Sequence, residues 1–446
     1  MFPSLYKRII TQPTPRLTSS KAFLYKIPQE ILIESYYRAF NHLQYLPTES
    51  ILLIQEQRVL NLIKKVRNSV PFYKGYLARV ETIKDFWKLP PVSKEEMKRE
   101  IVDGRVVNPY LLSFKVSQRT SGSTGVPLRF FMDENMRLRR IALYRLMLDW
   151  VGKRGSDKVV LLMPYSHPFL EKEYSFIECG GPDQVESRME YLEKSFQNEV
   201  IVLQSRTSYL IKLAKLIEEG SRKFTFRAII SYTEELSMPV RKYLERVFRA
   251  PVFDYYGCNE VNALGHECEF HNGLHVNFPW TYVEIVDKNF NHVSPGETGD
   301  IVVTSLDNEV MPFIRYQTGD RGSWIEGRCL CGRGLPLLKM EGRKIGTFIL
   351  SNDRTGYAWE LLWPVTSRIQ KIAKYQAVRH STTNFEIRIL PGKDFTRNDE
   401  INIIKEMSHY LGNQINITLK LVNDIQPAAS GKQQPFINLA PDVSES

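Results

Sequence analysis

Apolar residues fall at helical spacing between Ile51 and Val66, where Leu53, Val59, Leu60, Leu62, Ile63 and Val66 predict one helix face. The fifty residues before it show only weak periodicity. The pattern breaks at Val70-Pro71-Phe72-Tyr73 and again at Leu89-Pro90-Pro91-Val92-Ser93-Lys94, where Ser93 is placed to cap a helix opening with Lys94-Glu95-Glu96. Leu128 to Met132 reads as a short strand. Asp133-Glu134-Asn135 then caps a helix that carries Met136, Arg140, Leu143 and Met147. Residues 158–163 read as a buried strand. Ser237-Met238-Pro239 opens another helix, with Ser at the cap, Pro in the first turn, and Val240, Tyr243, Leu244 and Val247 on one face. Val252 to Tyr256 follows as a strand running into a turn at Gly257. Strands alternating with helices predict an α/β core with ligand at the carboxyl ends of the strands.

The last hundred residues have a different rhythm. Phe385, Ile387 and Ile389 alternate along a strand; Ile401, Ile404, Met407 and Leu411 share one side of a helix over Asn398–Leu411, which Gly412 stops. Ile415, Ile417, Leu419 and Leu421 then alternate again. Strand, helix, strand predicts a small α+β unit with the helix on one sheet face. The expected division is a large domain over 1–345, with 1–50 as an N-terminal extension, and a small domain over 347–446.

Composition narrows the class. With 446 residues, 43% hydrophobic and 25% charged, the chain is globular rather than disordered. Its longest apolar stretch falls far short of the roughly 20 residues of a membrane helix. Residues Met1 to Arg8 show no leader-like apolar core, which predicts a cytoplasmic protein with no secretory signal. The net charge is +10, but no basic stripe interleaved with aromatics accompanies it, so a nucleic-acid binder is not expected. The surplus suits an enzyme that handles a polyanion, or simply a solvated surface. Five cysteines, an odd number, do not form a disulfide framework and point to a reducing compartment.

The most concentrated polar string is Thr120-Ser121-Gly122-Ser123-Thr124-Gly125, followed by Val126-Pro127. Its glycines and hydroxyls suit a phosphate-binding loop, or by themselves an ordinary loop, and the Gly-Lys-Ser/Thr ending of a Walker loop is missing. A second constellation is Cys268, His275, Cys329 and Cys331. Three thiolates and one imidazole suit a closed, structural zinc site, with His266 and His271 as competing ligands. Buried unpaired cysteines are the alternative, and packing is the expected role of Cys179 and Cys258.

Further segments follow the Ser/Thr/Gly string in order: Ile230-Ser231-Tyr232-Thr233-Glu234-Glu235-Leu236, Asp254-Tyr255-Tyr256-Gly257-Cys258-Asn259-Glu260, Arg315-Tyr316-Gln317-Thr318-Gly319-Asp320, Gly342-Arg343 and Ser430-Gly431-Lys432. The ordered set, spanning about residues 50–436, resembles the adenylate-forming superfamily. More narrowly, it resembles the phenylacetate–coenzyme A ligase family and its relatives from capsular-polysaccharide gene clusters. The resemblance implies a large ATP- and acid-binding domain under a small mobile lid. It also implies attack of a carboxylate on the α-phosphate of ATP, release of pyrophosphate, and transfer of the acyl group from the acyl-adenylate to coenzyme A. An amine acceptor, giving an amide, is the alternative.

By resemblance, Thr120, Ser121, Gly122, Ser123, Thr124 and Gly125 hold the β- and γ-phosphates, and Glu260 holds Mg²⁺. Tyr256 stacks on adenine with Tyr255, Gly257, Asp254 and Glu234 nearby. Asp320 accepts from the ribose hydroxyls, Arg343 lies by the ribose and α-phosphate, and Lys432 bridges the carboxylate and the α-phosphate. The acyl pocket is expected near His167, Gly180, Gly181 and 231–236, with Ala263-Leu264-Gly265 beside it. Three positions depart from the family pattern: Val126 in the loop, Asn259 for a Thr, and Lys344-Ile345-Gly346 where an acidic hinge pair is usual. A non-catalytic nucleotide-binding scaffold would tolerate such a hinge; joint retention of Glu260, Asp320 and Lys432 favours an enzyme.

Overall fold

The computed structural model describes residues 28–114, 116–119, 129–163, 174–179, 184–196, 198–220, 224–258, 260–277, 280–343, 347–350, 355–412, 414–426 and 434–440. The first helix, α1 (Gln29–Leu43), buries Ile33, Tyr36, Ala39, Phe40 and Leu43 on one stripe. Ile33, Tyr36, Phe40 and Leu43 belong to the main core, and the weak local periodicity did not predict this helix. Helix α2 (Thr48–Val66) covers the predicted span, and the short helices α3 (Pro71–Tyr76) and α4 (Ile83–Trp87) pack beside it. Helix α5 (Lys94–Val102) begins as expected, with Ser93 Oγ accepting from Glu96 N at 3.1 Å. Strands β1 (Val116–Arg119) and β2 (Arg129–Met132) pair antiparallel. Asp133 then caps α6 (Glu134–Trp150), its carboxylate accepting from Met136 N at 2.7 Å.

The following stretch alternates strand and helix: β3 (Lys158–Met163), β4 (Ser175–Glu178), α7 (Val185–Phe196), β5 (Val200–Arg206), α8 (Thr207–Gly220), β6 (Thr225–Tyr232), α9 (Met238–Phe248) and β7 (Val252–Cys258). These five strands are parallel in the spatial order β4-β3-β5-β6-β7. Period-2 geometry explains their nearly continuous apolar sequence. Val160, Leu162, Ile201 and Leu203 pack with the helices α7, α8 and α9, whereas Val159, Leu161, Met163 and Val202 pack with α6. Ser237 does occupy the cap of α9, with Pro239 in the first turn, but its side chain makes no capping bond.

The strand over Val252 passes straight through the expected turn at Gly257 and ends at Cys258. The chain then reverses into β8 (Asn262–His266), so the turn lies beyond Cys258. From here the sheet is antiparallel: β9 (Leu274–Val276), β10 (Thr281–Val286), β11 (Gly299–Ser305), β12 (Tyr316–Ile325) and β13 (Leu337–Arg343) extend it to eleven strands among the described residues.

A separate unit follows. The hairpin β14 (Thr347–Ile349) and β15 (Thr355–Tyr357) leads to α10 (Ala358–Thr366), β16 (Ile372–Arg379), β17 (Asn384–Pro391), α11 (Arg397–Leu411), β18 (Asn416–Leu421) and β19 (Phe436–Asn438). Its four-stranded sheet runs β18-β17-β16-β19. Phe385, Ile387, Ile389, Ile403, Met407 and Leu411 belong to its core. The strand alternation holds, but the buried helix stripe runs through Ile403, Met407 and Leu411, while the expected Ile401 is 54% exposed and Ile404 only half-buried. Thr396 and Asp399 build a reciprocal capping box at the start of α11. None of the described helices is long and apolar enough to cross a membrane.

Candidate active site

The ends of β7 and β12 bring two of the sequence segments together. Tyr256 donates its hydroxyl hydrogen bond to Asp320 Oδ2 at 2.9 Å, across 64 residues of chain. Tyr316 donates to Glu260 Oε1 at 3.3 Å. Both carboxylates are buried, at 8% and 6% exposure for Asp320 and Glu260, so each is a positioned acceptor rather than a solvated surface acid. Arg343 is the backbone partner of Asp320 in the β12–β13 ladder, which sets their two Cα atoms opposite each other. A buried carboxylate oriented by a tyrosine is a hard oxygen donor of the kind Mg²⁺ prefers.

Asp254, two residues before Tyr256, lies against a charged cluster. Its backbone N–H donates to Glu267 Oε2 at 2.8 Å, and Glu267 is held by Arg241 Nη2 at 2.7 and 2.9 Å. Burial chiefly, then the Glu267 charge, push the Asp254 carboxyl up to about 7, while Arg241 opposes them and Glu235 adds to them. The unfolded chain has the ordinary, lower value, so the folded state binds the proton more tightly. This contribution to stability is fully present below about pH 4 and is lost as pH rises through about 7. Relative to the parent, Asp254→Asn is therefore expected to gain stability between pH 5 and 8. Urea unfolding of both proteins at those two pH values checks this; an unchanged difference between them would contradict it.

The structure gives Glu234 a structural task. Its Oε2 accepts from Ser208 N at 2.7 Å and its Oε1 from Ser208 Oγ at 3.1 Å, so it caps the N-terminus of α8, where the helix dipole favours negative charge. Tyr255 is packed between the two cores that meet at β7. Gly257 pairs with Ala263 in the β7–β8 ladder. Thr120 to Gly125, His167, Gly180, Gly181, Asn259, Lys344 to Gly346 and Lys432 lie outside the described residues.

Two groups near Glu260 escaped the sequence reading of the site. Tyr316 was legible as part of a motif but not as the partner of Glu260. The Arg140 guanidinium, on α6, lies 5.9 Å from the Phe130 ring centroid, and burial lowers its pKa to about 10 against the opposing influence of Tyr255, Cys258 and Glu260. Its signal was a cation on a helix face otherwise occupied by Met136, Leu143 and Met147.

Cys268, His275, Cys329 and Cys331 converge, their ligand atoms all lying within 4.8 Å of one another. Cys268 Sγ is 3.6 Å from Cys329 Sγ, and Cys331 Sγ is 3.3 Å from His275 Nε2. Ligand atoms around tetrahedral zinc are spaced about 3.5–3.8 Å apart; the donor set suits that ion and these two pairs come near its spacing, while the full set lies within the wider limit of 4.8 Å. The turn between Cys268 and His275 requires Gly273: its φ is +89°, and an added Cβ would come within 2.3 Å of Ile325 Cδ1. The competing histidines have other places. His271 Nδ1 is 3.0 Å from Glu267 Oε2, and the His266 ring lies 4.2 Å from that of Trp150. Cys179 is buried in the core under α7 and α8, as a packing residue would be.

Comparison with known proteins agrees with this architecture. Residues 352–438 match the CapK C-terminal domain. The phenylacetate–coenzyme A ligase of Thermus thermophilus is 25% identical over 325 residues, covering 65% of this chain and 69% of the relative. A 2-hydroxyisobutyryl-CoA ligase in the postadenylation state, in complex with 2-HIB-AMP, superposes with a TM-score of 0.76 at 19% identity, covering 90% of this chain and 91% of that one. O-succinylbenzoate coenzyme A synthetase from Bacillus subtilis, in complex with ATP and magnesium, gives 0.51 at 17% identity over 72% and 68% of the two chains. The fold is that of the adenylate-forming CoA ligases. The chain is similar to phenylacetate–coenzyme A ligases over about two thirds of its length, and the CapK match falls within its C-terminal unit.

Proposed function

We propose that this chain activates a small carboxylic acid with ATP, releasing pyrophosphate, and passes the acyl group to the thiol of coenzyme A. The observation that carries this reading is the meeting of Tyr256 with Asp320 and of Tyr316 with Glu260, which draws two distant motifs into one buried acceptor site. The phenylacetate–coenzyme A ligase likeness supports the acceptor.

In this reading, Tyr256 lies flat on adenine while its hydroxyl steadies Asp320, whose carboxylate accepts from the ribose hydroxyls. Backbone amides and hydroxyls of Thr120 to Gly125 hold the outer phosphates. Glu260, oriented by the Tyr316 hydroxyl, would hold Mg²⁺, which would supply positive charge at the α-phosphate. Arg343 lies beside the ribose. Lys432, carried by the small domain over 347–446, neutralises charge as carboxylate and phosphate approach. Acyl-adenylate formation breaks the bond between the α- and β-phosphates and forms a carboxyl–phosphorus bond. Thiol attack then expels AMP. ATP–pyrophosphate exchange across a panel of acids, followed by mass spectrometry of products with coenzyme A or with amines, tests both halves. Exchange without coenzyme A consumption, accompanied by amide products, would move the second half to an amine.

The cysteine cluster is assigned to structural zinc, with Cys268, His275, Cys329 and Cys331 as its four ligands. Such an ion would tie the β8–β9 hairpin to the loop before β13 and so brace the turn that carries Glu260. Thiolate ligands would suit a reducing compartment such as the cytoplasm. Elemental analysis is expected to find about one zinc per chain, falling to near none in Cys329→Ser, as for a four-ligand structural site. A stable, metal-free parent protein would remove the zinc assignment.

A further inference from the structure

We propose that Lys215 is a positioning residue: its ammonium group ties the start of β16 to α8, and through β16 it seats the chain that carries Lys432 for the first half-reaction. The role rests on the adenylation reading above. Lys215 lies on α8, and its Nζ donates to the carbonyl of Ile372, 157 residues further along the chain. The residue opposite Ile372 in the β16–β17 ladder is Pro391, which has no N–H to give, so the lysine serves an acceptor that this neighbour leaves open. The surroundings are apolar. Ile369, in the turn Ile369–Lys371, is 2% exposed and belongs to the core under α7, α8 and α9. Tyr375 packs against that core and also against the core of the small unit. The same turn and α10 both touch α9. Burial chiefly, then the charge of Lys212, lower the Lys215 ammonium to about 8, while Glu219 and Glu218 oppose them. A cation drawn into such a seam is costly unless it finds an acceptor, and the Ile372 carbonyl is one only while the small unit is seated.

Strand β16 carries the tie onward. Gln376, four residues beyond Ile372, donates from Nε2 to Gln434 O at 3.0 Å, and Ala377 N donates to Pro435 O at 2.7 Å. β19 then runs parallel to β16, with Phe436 opposite Ala377. Gln434 stands two residues after Lys432 in the sequence. Ile372 and Gln376 are about 13 Å apart along an extended strand, so a hold at one end sets where the chain leaving Lys432 is anchored at the other. The helix that supplies the hold is itself fixed beside the nucleotide segment: Ser208, at the start of α8, is bonded by Glu234. One helix thus joins the segment assigned to the adenine side to the unit that carries Lys432. Misplacing a reacting group by about 1 Å costs about 100-fold in rate, so such a tie acts on turnover rather than on ATP affinity.

The test compares Lys215→Met, which keeps an unbranched stem and removes the ammonium group, with Lys215→Arg, which keeps a charged donor. Amide hydrogen exchange of the full-length proteins is read over residues 207–220 and 369–377. ATP–pyrophosphate exchange is read on a panel of acetate, benzoate, phenylacetate and 2-hydroxyisobutyrate. Transfer to coenzyme A is read separately, from the ready-made acyl-adenylate of the acid that the parent uses best. Lys215→Met is expected to speed amide exchange along the seam about 10-fold, as for loss of one hydrogen bond from a charged donor, while the rest of the chain keeps its protection. Its kcat for ATP–pyrophosphate exchange is expected to fall about 10- to 100-fold with KM for ATP unchanged, and thioester formation from the supplied adenylate is not slowed. Lys215→Arg is expected to recover part of both losses. Unchanged seam protection in Lys215→Met overturns the tie. A loosened seam with unchanged kcat, or an equal fall in both half-reactions, overturns the positioning role and leaves adenylation standing. A parent that exchanges with no acid overturns the adenylation reading and the positioning role with it, whereas a loosened seam in Lys215→Met still identifies Lys215 as the tie between the two units.

Discussion

Replacing Arg315 with alanine is expected to lower the free energy of unfolding by about 3–5 kcal/mol, the usual cost of removing one partner from a buried ion pair. Arg315 is completely buried, and its guanidinium lies against Glu284, which is 1% exposed, with Nε 3.2 Å from one oxygen and Nη2 3.0 Å from the other. The same head donates to the carbonyls of Trp87, at 2.6 Å, and of Leu89, thereby holding the chain that enters Pro90-Pro91. Its own backbone is tied to both sides: Val92 N donates to Arg315 O at 2.8 Å, and Arg315 N to Thr304 Oγ1 at 3.0 Å. Alanine would leave Glu284 charged and buried, with His292 Nε2 at 2.8 Å as its remaining close partner. Denaturant unfolding measures the loss. A change below about 1 kcal/mol, the scale of an exposed pair, would show that the contact contributes little. Arg315 thus anchors the motif whose later members, Tyr316 and Asp320, face the site.

Replacing Glu260 with glutamine is expected to reduce acid-dependent ATP–pyrophosphate exchange by about 10²- to 10³-fold while the protein remains folded, as loss of one electrostatic transition-state contact does elsewhere. The substitution keeps the shape and retains an oxygen for the Tyr316 hydroxyl. It removes the negative charge that would hold Mg²⁺ at the α-phosphate. The diagnostic feature is the metal dependence: half-saturation by Mg²⁺ is expected to move to higher concentration. An unchanged rate and unchanged Mg²⁺ dependence would take Glu260 out of the reaction.

Legibility in the sequence followed locality. Two of the five parallel strands, β3 and β7, and the β17-α11-β18 run of the small unit were readable, because Val159 to Met163 and the 385–389 alternation announce themselves within a few residues. So were the Ser93 and Asp133 caps, each closed by a bond three residues away. Helix α1 was not, since Pro28 makes no side-chain cap and two tyrosines dilute its apolar stripe. Glu284 interrupts an otherwise apolar strand and is tolerated only because Arg315, 31 residues later, pairs with it. Within the site, the resemblance identified Glu260 and Asp320 as acceptors, but their tyrosine partners depend on the meeting of β7 and β12. The task of Glu234 was hidden for the same reason: α8 begins next to it in space and 26 residues earlier in the chain. The cysteine–histidine set was readable as chemistry, and the β8–β9 hairpin with its Gly273 turn brings it together.

The central claim is that the acid's carboxylate oxygen attacks the α-phosphate of ATP. Turnover of an acid labelled with ¹⁸O in its carboxyl group, in the presence of ATP and coenzyme A, tests this by the fate of one atom. The account predicts one ¹⁸O in the AMP released, none in pyrophosphate, and an acyl thioester that retains the other. Label in inorganic phosphate alongside ADP would mean attack at the γ-phosphate and would contradict it.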